Sequence, residues 1–268
     1  MVEVLNLDCR EYLTGPFCPM FDFAFADPPF NIGQKYNGFK DNLPTMEYRQ
    51  FTLEWIWYLW QRMKPGAAMV LHGSVECSRE IIRVLQNLEI DTCIETELVW
   101  AYNFGQCRFD NFIQTHCRAI VVRRPGLPNQ RKFYVENVLT ESVRLRMGDK
   151  RVLESEFKGK VPFGTVWGMD TDDNQVVTEP LEGLPNWGRV QGNNLERRKG
   201  HPNQLPEKYV ERCLLAYSNI GDCCFDPFGG SGTTAIVCRK LNRHCITTDV
   251  SEWNCESIKS SLKAFENV

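Results

Sequence analysis

One stretch, Phe225-Asp226-Pro227-Phe228-Gly229-Gly230-Ser231-Gly232-Thr233-Thr234-Ala235, narrows the fold more than any other. It reads as the end of an apolar strand, a glycine-rich turn and the opening of an amphipathic helix over Thr233 to Leu241, which is how an α/β sheet presents a nucleotide-like cofactor. Glycine lets the backbone come close to a ligand, and the first turn of a helix offers N–H donors that have no partner in the helix. Asp249 ends the next apolar run, His244-Cys245-Ile246-Thr247-Thr248, where its carboxylate is placed to take both hydroxyls of a ribose. The pattern therefore implies a cofactor containing an adenosine. A nucleoside triphosphate held in the P-loop manner is disfavoured, because no lysine follows the glycines. Gly230-Ser231-Gly232-Thr233-Thr234-Ala235 matches the loose dinucleotide pattern, which leaves that reading and a plain tight turn open at this point.

A second motif lies near the other end of the chain. The apolar run Phe21-Asp22-Phe23-Ala24-Phe25 leads into Ala26-Asp27-Pro28-Pro29-Phe30. This predicts a buried strand whose end is forced extended, since Asp27 and Pro28 each precede a proline. The stiff diproline would hold the Asp27 carboxylate and the Pro28 carbonyl as a fixed pair of acceptors, with the Phe30 ring beside them. Two acceptors and an aromatic face suit a flat ring that bears an exocyclic amino group; a strand followed by a stiff turn is the structural alternative.

With these motifs in hand, the chain resembles the β class of amino-methylating DNA methyltransferases, which use S-adenosylmethionine. The resemblance rests on Asp27-Pro28-Pro29-Phe30, then His201-Pro202-Asn203-Gln204, then Asp226-Pro227-Phe228-Gly229-Gly230-Ser231-Gly232-Thr233-Thr234, in an order that puts the catalytic motif first and the cofactor loop last and spans nearly the whole chain. It implies a Rossmann-like methyltransferase sheet with an inserted target-recognition region. It also implies Asp27, Pro28, Pro29 and Phe30 as catalytic, and the Asp226 to Thr234 loop with Asp249 as the cofactor site. Asp8, near the adenine in such relatives, is a cofactor-binding candidate, with a plain helix N-cap as the alternative; Asn203 and Gln204 approach the methionine part, and Trp253 lies against the adenine or simply packs. Aspartate at the head of the catalytic motif goes mainly with adenine N6 and serine with cytosine N4, so Asp27 favours adenine. Cytosine N4 methylation and a catalytically silent DNA-binding relative are the alternatives. RNA or protein as substrate is disfavoured, since protein-modifying relatives usually carry asparagine in place of Asp27.

Two positions depart from the family pattern. Relatives carry a His-Glu pair before an apolar strand, where this chain has His116-Cys117, so only His116 is carried over. They also have a lysine before the second proline of the histidine-proline motif, where this chain has Leu205, removing one cation near the cofactor. Double-stranded DNA is the implied partner. Relatives of this class are often homodimers and often work beside a restriction endonuclease acting on the same site, so both are partners the resemblance admits.

Composition sets bounds. At 43% hydrophobic and 24% charged the chain of 268 residues is ordinary for a globular protein. No stretch approaches the roughly 20 apolar residues of a membrane span, and Met1 to Leu7 lacks the pattern of a signal peptide; a cytoplasmic location is expected. The 12 cysteines are scattered without a Cys-x-x-Cys pair, which predicts no metal and reduced core thiols, as at Cys93, Cys213, Cys238 and Cys245. Net charge is −3, yet between Arg118 and Lys160 eleven basic residues face five acidic ones. A basic segment in an acidic chain suggests a local phosphate-binding face, with a merely solvated face as the alternative.

Read in order, the chain alternates strand and helix. Val2 to Leu7 is a strand and Cys9 to Leu13 a helix; Asn31 to Gly38 is expected to be a mobile loop. A helix from Thr45 carries an aromatic stripe best read as core packing, until Lys64-Pro65-Gly66 ends it. A buried strand over Ala67 to Gly73, a helix over Val75 to Leu88, a strand over Glu95 to Trp100 and a run over Phe112 to Val122 follow, and together they predict a mostly parallel sheet. Residues 1–124 and 201–268 are assigned to catalysis and 125–200 to target recognition, where Asn186-Trp187-Gly188-Arg189 to Arg197-Arg198-Lys199 mixes an aromatic, amides and cations. Helices over Glu207 to Ser218 and Ser251 to Leu262 complete the reading.

Overall fold

The computed structural model of the protein describes residues 1–36, 38–102, 109–110, 112–167, 190, 196–198, 200–201 and 203–264. Its centre is the strand β2 (Phe21–Ala26), buried at every position. Flanking it in the chain are β1 (Val2–Asn6) and the helix α1 (Cys9–Thr14), then α2 (Thr45–Arg62), β3 (Met63–Gly73), α3 (Val75–Asn87), β4 (Ile94–Ala101) and β5 (His116–Arg123). After β5 come short pieces: β6 (Leu139–Glu141), α4 (Val143–Arg146), β7 (Lys160–Pro162) and β8 (Val166–Trp167). The last part is regular again, with α5 (Glu207–Tyr217), β9 (Cys223–Asp226), α6 (Thr233–Lys240), β10 (His244–Asp249) and α7 (Glu252–Ala264).

Eight strands form one sheet in the order β1-β10-β9-β2-β3-β5-β4-β8. All neighbours are parallel except at β5, which runs against both β3 and β4. The expected mostly parallel α/β sheet is found, with the reversal at β5 added. Side chains that alternate along β2 feed two cores. Phe23 and Phe25 join the apolar layer under α5, α6 and α7, while Ala24 and Ala26 join the layer under α1, α2 and α3. Phe21 falls in the second layer rather than the first because the register with β3 shifts between Phe21 and Phe23.

Several boundaries move. The strand β3 begins directly at Met63 instead of after Gly66, so the Lys64-Pro65-Gly66 turn expected to end α2 lies inside a strand. Most of the stripe of α2 does pack: Tyr48, Phe51, Trp55 and Leu59 are buried, while Met46 is exposed. The segment beyond Pro125 is not wholly separate from the catalytic part, because Val138 and Trp167 belong to the main core and β8 extends the main sheet. The expected contributions of Asn37, of Asn186 to Arg189, of Lys199 and of Pro202 lie outside the described residues. Among the described residues no helix is long and apolar enough to cross a membrane.

The order of the sheet fixes where a ligand can go. From neighbouring β9 and β2 the chain moves outward in opposite directions, from β9 to β10 on one side and from β2 to β3 on the other. A crevice opens at the carboxyl ends of the strands at such a switch point.

Candidate active site

A cavity of about 950 Å³ occupies that crevice, lined by Asp27 to Phe30, by the Asp226 to Ser231 loop with Thr233 and Thr234, and by Asp8, Asp249 and Trp253. The catalytic and cofactor motifs, far apart in sequence, share one chamber because β2 and β9 are paired, with Ala24 opposite Phe225.

Asp27 follows directly on β2. Its Oδ1 is buried and has no hydrogen-bond partner among the described residues. Burial, and then the charge of Asp226, push its carboxyl well above the ordinary value. Asp226, at the end of β9, is 2% exposed. Its carboxyl is pushed up to about 7, chiefly by burial, against the opposing effect of the Phe228 N–H, which donates to Oδ1 at 3.0 Å. An orphaned buried acceptor is costly, and a native site keeps one where a ligand supplies the missing donor.

The glycine loop is built by its own backbone. Gly232 N–H donates to the Gly229 carbonyl at 2.7 Å, and Gly229 N–H to the Thr248 carbonyl at 2.8 Å. Gly232 has φ +79° and serves as the N-cap of α6, with no side chain to cap the helix, and Thr233 and Thr234 of the first turn line the cavity. Thr233 Oγ1 accepts from Arg198 Nη1 at 3.0 Å, and Arg198 also pairs with Glu207 at 2.7 Å.

Asp249 lines the cavity but its oxygens are already engaged. Oδ2 accepts from Gly230 N–H at 2.8 Å and Asn254 Nδ2 at 3.0 Å, and Oδ1 from Ser251 N–H at 2.8 Å. One lone pair, on Oδ1, is left for a ligand, which allows one ribose hydroxyl rather than both. Asp8 is an N-cap, accepting from Arg10 N–H at 2.8 Å, and it also holds the Arg10 guanidinium, which reaches on to Glu54 at 2.6 Å. Burial alone would raise its carboxyl, but the bonds from Arg10 outweigh burial and hold it below the ordinary value. Asp8 is thus a helix N-cap that also lines the cavity.

The Trp253 ring lies 5.0 Å from that of His201, tilted by 36°. A side chain at Gly200 would run into that indole, its Cβ falling 2.4 Å from the ring. The Nε2 of His201 is buried without a partner among the described residues, and burial, then the charge of Arg198, lower its pKa to about 4. Asn203 and Tyr36 both line the cavity. Gln204 lines it too, but its amide is spent on the chain behind it, accepting from Arg198 N–H at 2.8 Å and donating to the Glu196 carbonyl at 2.6 Å.

The wall beyond Phe30 is aromatic, and most of it has no signature in the sequence. His72, near the end of β3, lies 6.1 Å from the Phe30 ring and shares a 3.0 Å hydrogen bond with the Tyr209 hydroxyl. Burial drops its pKa to about 3, so it is a neutral ring. Phe25, Trp100 and Trp167 close on Tyr209 at 5.9, 5.6 and 5.4 Å. The one local signal is a histidine inside a buried strand, which sequence alone reads as structural. At the expected His-Glu position it is Cys117, not His116, that lines the cavity; the Tyr102 hydroxyl is 3.7 Å from its Sγ. His116 neighbours Gln114 instead. Among the described residues no group of three His, Cys, Asp or Glu side chains is arranged to hold a metal.

Comparison with known proteins finds relatives by sequence and by fold. The sequence profile of a DNA methylase family, the N6/N4 methyltransferases, matches residues 21–260. The chain is 27% identical over 242 residues to the Type II methyltransferase M.HpaI of Haemophilus parainfluenzae, covering 90% of this chain and 68% of that one. It is 27% identical over 253 residues to the DNA adenine methyltransferase YhdJ of Escherichia coli (strain K12), covering 91% and 76%. In fold it is similar to the crystal structure of an M1.HpyAVI-SAM complex, with a TM-score of 0.58 at 17% identity over 97% of this chain and 100% of that one. The cytosine-N4-specific PvuII DNA methyltransferase aligns with a TM-score of 0.62 at 15% identity, over 96% and 85%.

Proposed function

Because the chain belongs to the N6/N4 DNA methylase family, we propose that it moves a methyl group from S-adenosylmethionine to the exocyclic N6 of an adenine flipped out of double-stranded DNA. The observation that carries this reading is the buried Oδ1 of Asp27, unpartnered among the described residues, in an aromatic-walled chamber that it shares with the glycine loop. Aspartate at the head of the motif, and 27% identity to a relative named as an adenine methyltransferase, favour adenine over cytosine.

The residues present fit S-adenosylmethionine. The open N-terminus of α6, the remaining lone pair of Asp249, the exposed face of Trp253 and the side chain of Asn203 would hold it, beside two carboxylates that favour a cation. When bound, it supplies an electrophilic methyl on a sulfonium. An amino nitrogen on an aromatic base is a poor nucleophile, since its lone pair is delocalised into the ring. Flipping the base out costs a few kcal/mol, recovered by edge contacts and stacking. In this chain the Asp27 Oδ1 and the Pro28 carbonyl accept the two amino hydrogens and so turn the lone pair out of conjugation. Phe30, with His72 behind it, stacks on the ring. Asp27 can take the proton that the nitrogen loses, because burial and Asp226 raise its affinity for one. Positioning of this kind is worth roughly 7–11 kcal/mol. We assign residues 125–200 to reading the DNA and the remainder to catalysis.

The test is transfer of labelled methyl from S-adenosylmethionine to unmethylated DNA by the wild type and by Asp27→Ala, with the DNA digested to nucleosides. N6-methyladenine that disappears in the variant is the expected result. N4-methylcytosine would keep the chemistry and overturn the base, and no transfer by folded, cofactor-binding protein would overturn the enzyme reading.

A further inference from the structure

The chain that follows the diproline is held from two sides by groups that do not line the cavity. Asp41, 3% exposed, turns its carboxylate back onto this loop. Its Oδ1 accepts from Asn31 N–H at 2.7 Å, and its Oδ2 from the N–H groups of Ile32 at 3.1 Å and Gln34 at 2.9 Å. Its own carbonyl accepts from Gly33 N–H at 2.7 Å. Asn31 exchanges two bonds with the backbone of Leu43, at 2.9 and 2.7 Å, and sits at φ 59°, a left-handed conformation that persists only where the surroundings enforce it. The segment expected to be a mobile loop is, over its described residues, a built one.

The second support comes from the first turn of α2. The phenol of Tyr48 donates to the Pro29 carbonyl at 2.8 Å, and the Cys77 Sγ lies 3.4 Å from the phenol oxygen. A phenol has one hydrogen, so with the carbonyl as its acceptor the thiol is the donor of the second bond. Sequence alone reads Tyr48 as part of a packing stripe, and its ring does pack, 6.3 Å from Phe51. Its hydroxyl reaches the catalytic motif.

Proline fixes φ but leaves ψ free. The diproline is therefore rigid in only half of its backbone angles, and the rest must be set from outside. The bond to Tyr48 sets ψ at Pro29, and the Asp41 carboxylate sets the chain immediately after Phe30. We propose that Tyr48 and Asp41 are positioning residues for the methyl transfer, holding the diproline so that the Pro28 carbonyl, the Asp27 carboxylate and the Phe30 ring meet one base at once. This rests on the transfer reading above.

The experiment compares wild type, Tyr48→Phe, Asp41→Asn and Cys77→Ala in steady-state methyl transfer to unmethylated DNA. Calorimetric binding of S-adenosylhomocysteine and a melting curve are measured for each. Tyr48→Phe keeps the ring and deletes the donor; Asp41→Asn sets an amide N–H₂ against backbone N–H groups. Both are expected to lower kcat about tenfold to a hundredfold, the usual effect of a displacement near 1 Å. Affinity for S-adenosylhomocysteine and KM for DNA should stay within about twofold of wild type. Cys77→Ala leaves the phenol-to-carbonyl bond in place and should retain the wild-type kcat. Unchanged kcat in the two folded variants, a loss that follows cofactor affinity, or a Cys77→Ala protein as impaired as Tyr48→Phe would each overturn the inference. Should Tyr48→Phe not fold, Asp41→Asn decides on the same criteria. A wild type inert on DNA would overturn the proposed function and this inference together, whereas an active wild type with unaffected variants overturns the inference alone.

Discussion

Asp27 and Asp226 are two carboxyls at the ends of paired strands; burial makes both harder to ionise, and the charge of Asp226 adds to the effect at Asp27. For Asp226 the direction of the pH effect can be worked out. Its folded value, about 7, lies above the ordinary 3.8. The native protein therefore binds the proton more tightly than the unfolded chain, so this group's contribution to stability is complete below about pH 4 and is lost as pH rises towards 7. A bound cation reverses the preference by favouring the ionised carboxylate. Affinity for S-adenosylmethionine, which carries a sulfonium, should accordingly rise with pH by up to about tenfold per unit below neutrality, while affinity for the neutral S-adenosylhomocysteine stays nearly flat. Calorimetry at several pH values with the two ligands, on wild type and Asp226→Asn, checks this. Parallel pH curves for the two ligands, or a slope that persists in the variant, would show that other groups govern binding. Of these residues Asp27 and Asp226 could be found in the sequence because each belongs to a contiguous motif. His72, Tyr209 and Asp41 could not, because each acts through a neighbour distant in the chain, Asp41 reaching back the least, seven to ten residues, to Gln34, Ile32 and Asn31.

The turn from β9 into α6 was the most legible element, since its requirements are local: an apolar strand, glycines where φ is positive, and a helix start. Its glycines differ in what they exclude. Gly232 has φ +79°, and a Cβ there would fall 2.7 Å from the Ile258 side chain of α7. Gly148 has a similar φ of +85° with nothing within 4 Å. Gly164 has neither a positive φ nor a close neighbour. Alanine at the three positions should therefore form a ladder in urea unfolding. Gly164→Ala is expected to be near neutral or slightly stabilising, and Gly148→Ala to cost about 1–2 kcal/mol for the left-handed backbone. Gly232→Ala should cost that plus about 1–3 kcal/mol for overpacking against Ile258. It alone of the three should also weaken S-adenosylhomocysteine binding. Equal losses at Gly148 and Gly232 would mean that the contact with α7 yields freely. What could not be read at this scale was β5. Its apolar run is the same whether the strand runs parallel or antiparallel, and only pairing with β3 and β4 decides the direction.

Across the whole molecule the charge count of the sequence needs correction. Several of the cations between Arg118 and Lys160 hold the protein together. Arg118 pairs with Glu97 at 3.2 Å, Arg123 with Glu95 at 2.6 Å, and Lys132 bridges Asp22 at 2.7 Å and Asp222 at 3.0 Å. Arg131 also pairs with Glu95, and the Arg124 guanidinium lies over Trp60 at 5.2 Å. Their carboxylate partners come from outside the segment, which is why a count within it overstates the free charge. Farther along, Arg144 and Arg151 share Asp149, at 2.6 and 2.8 Å. Lys150, Lys158 and Lys160 are exposed and make no ion pair among the described residues. If this part of the chain meets DNA, these three lysines are its phosphate-binding groups. Replacing all three with alanine should weaken binding to any DNA sequence alike and reduce the slope of log affinity against log salt by about 2–3, close to 0.9 for each phosphate no longer neutralised. At saturating DNA the rate of methyl transfer should not change, because none of the three lines the cavity. A salt titration of DNA binding, wild type against the triple variant, measures the slope directly. An unchanged slope would take the basic segment off the phosphates and leave its exposed lysines as a solvated face, while a smaller slope accompanied by a slower saturated rate would tie the segment to placing the base as well as to holding the backbone.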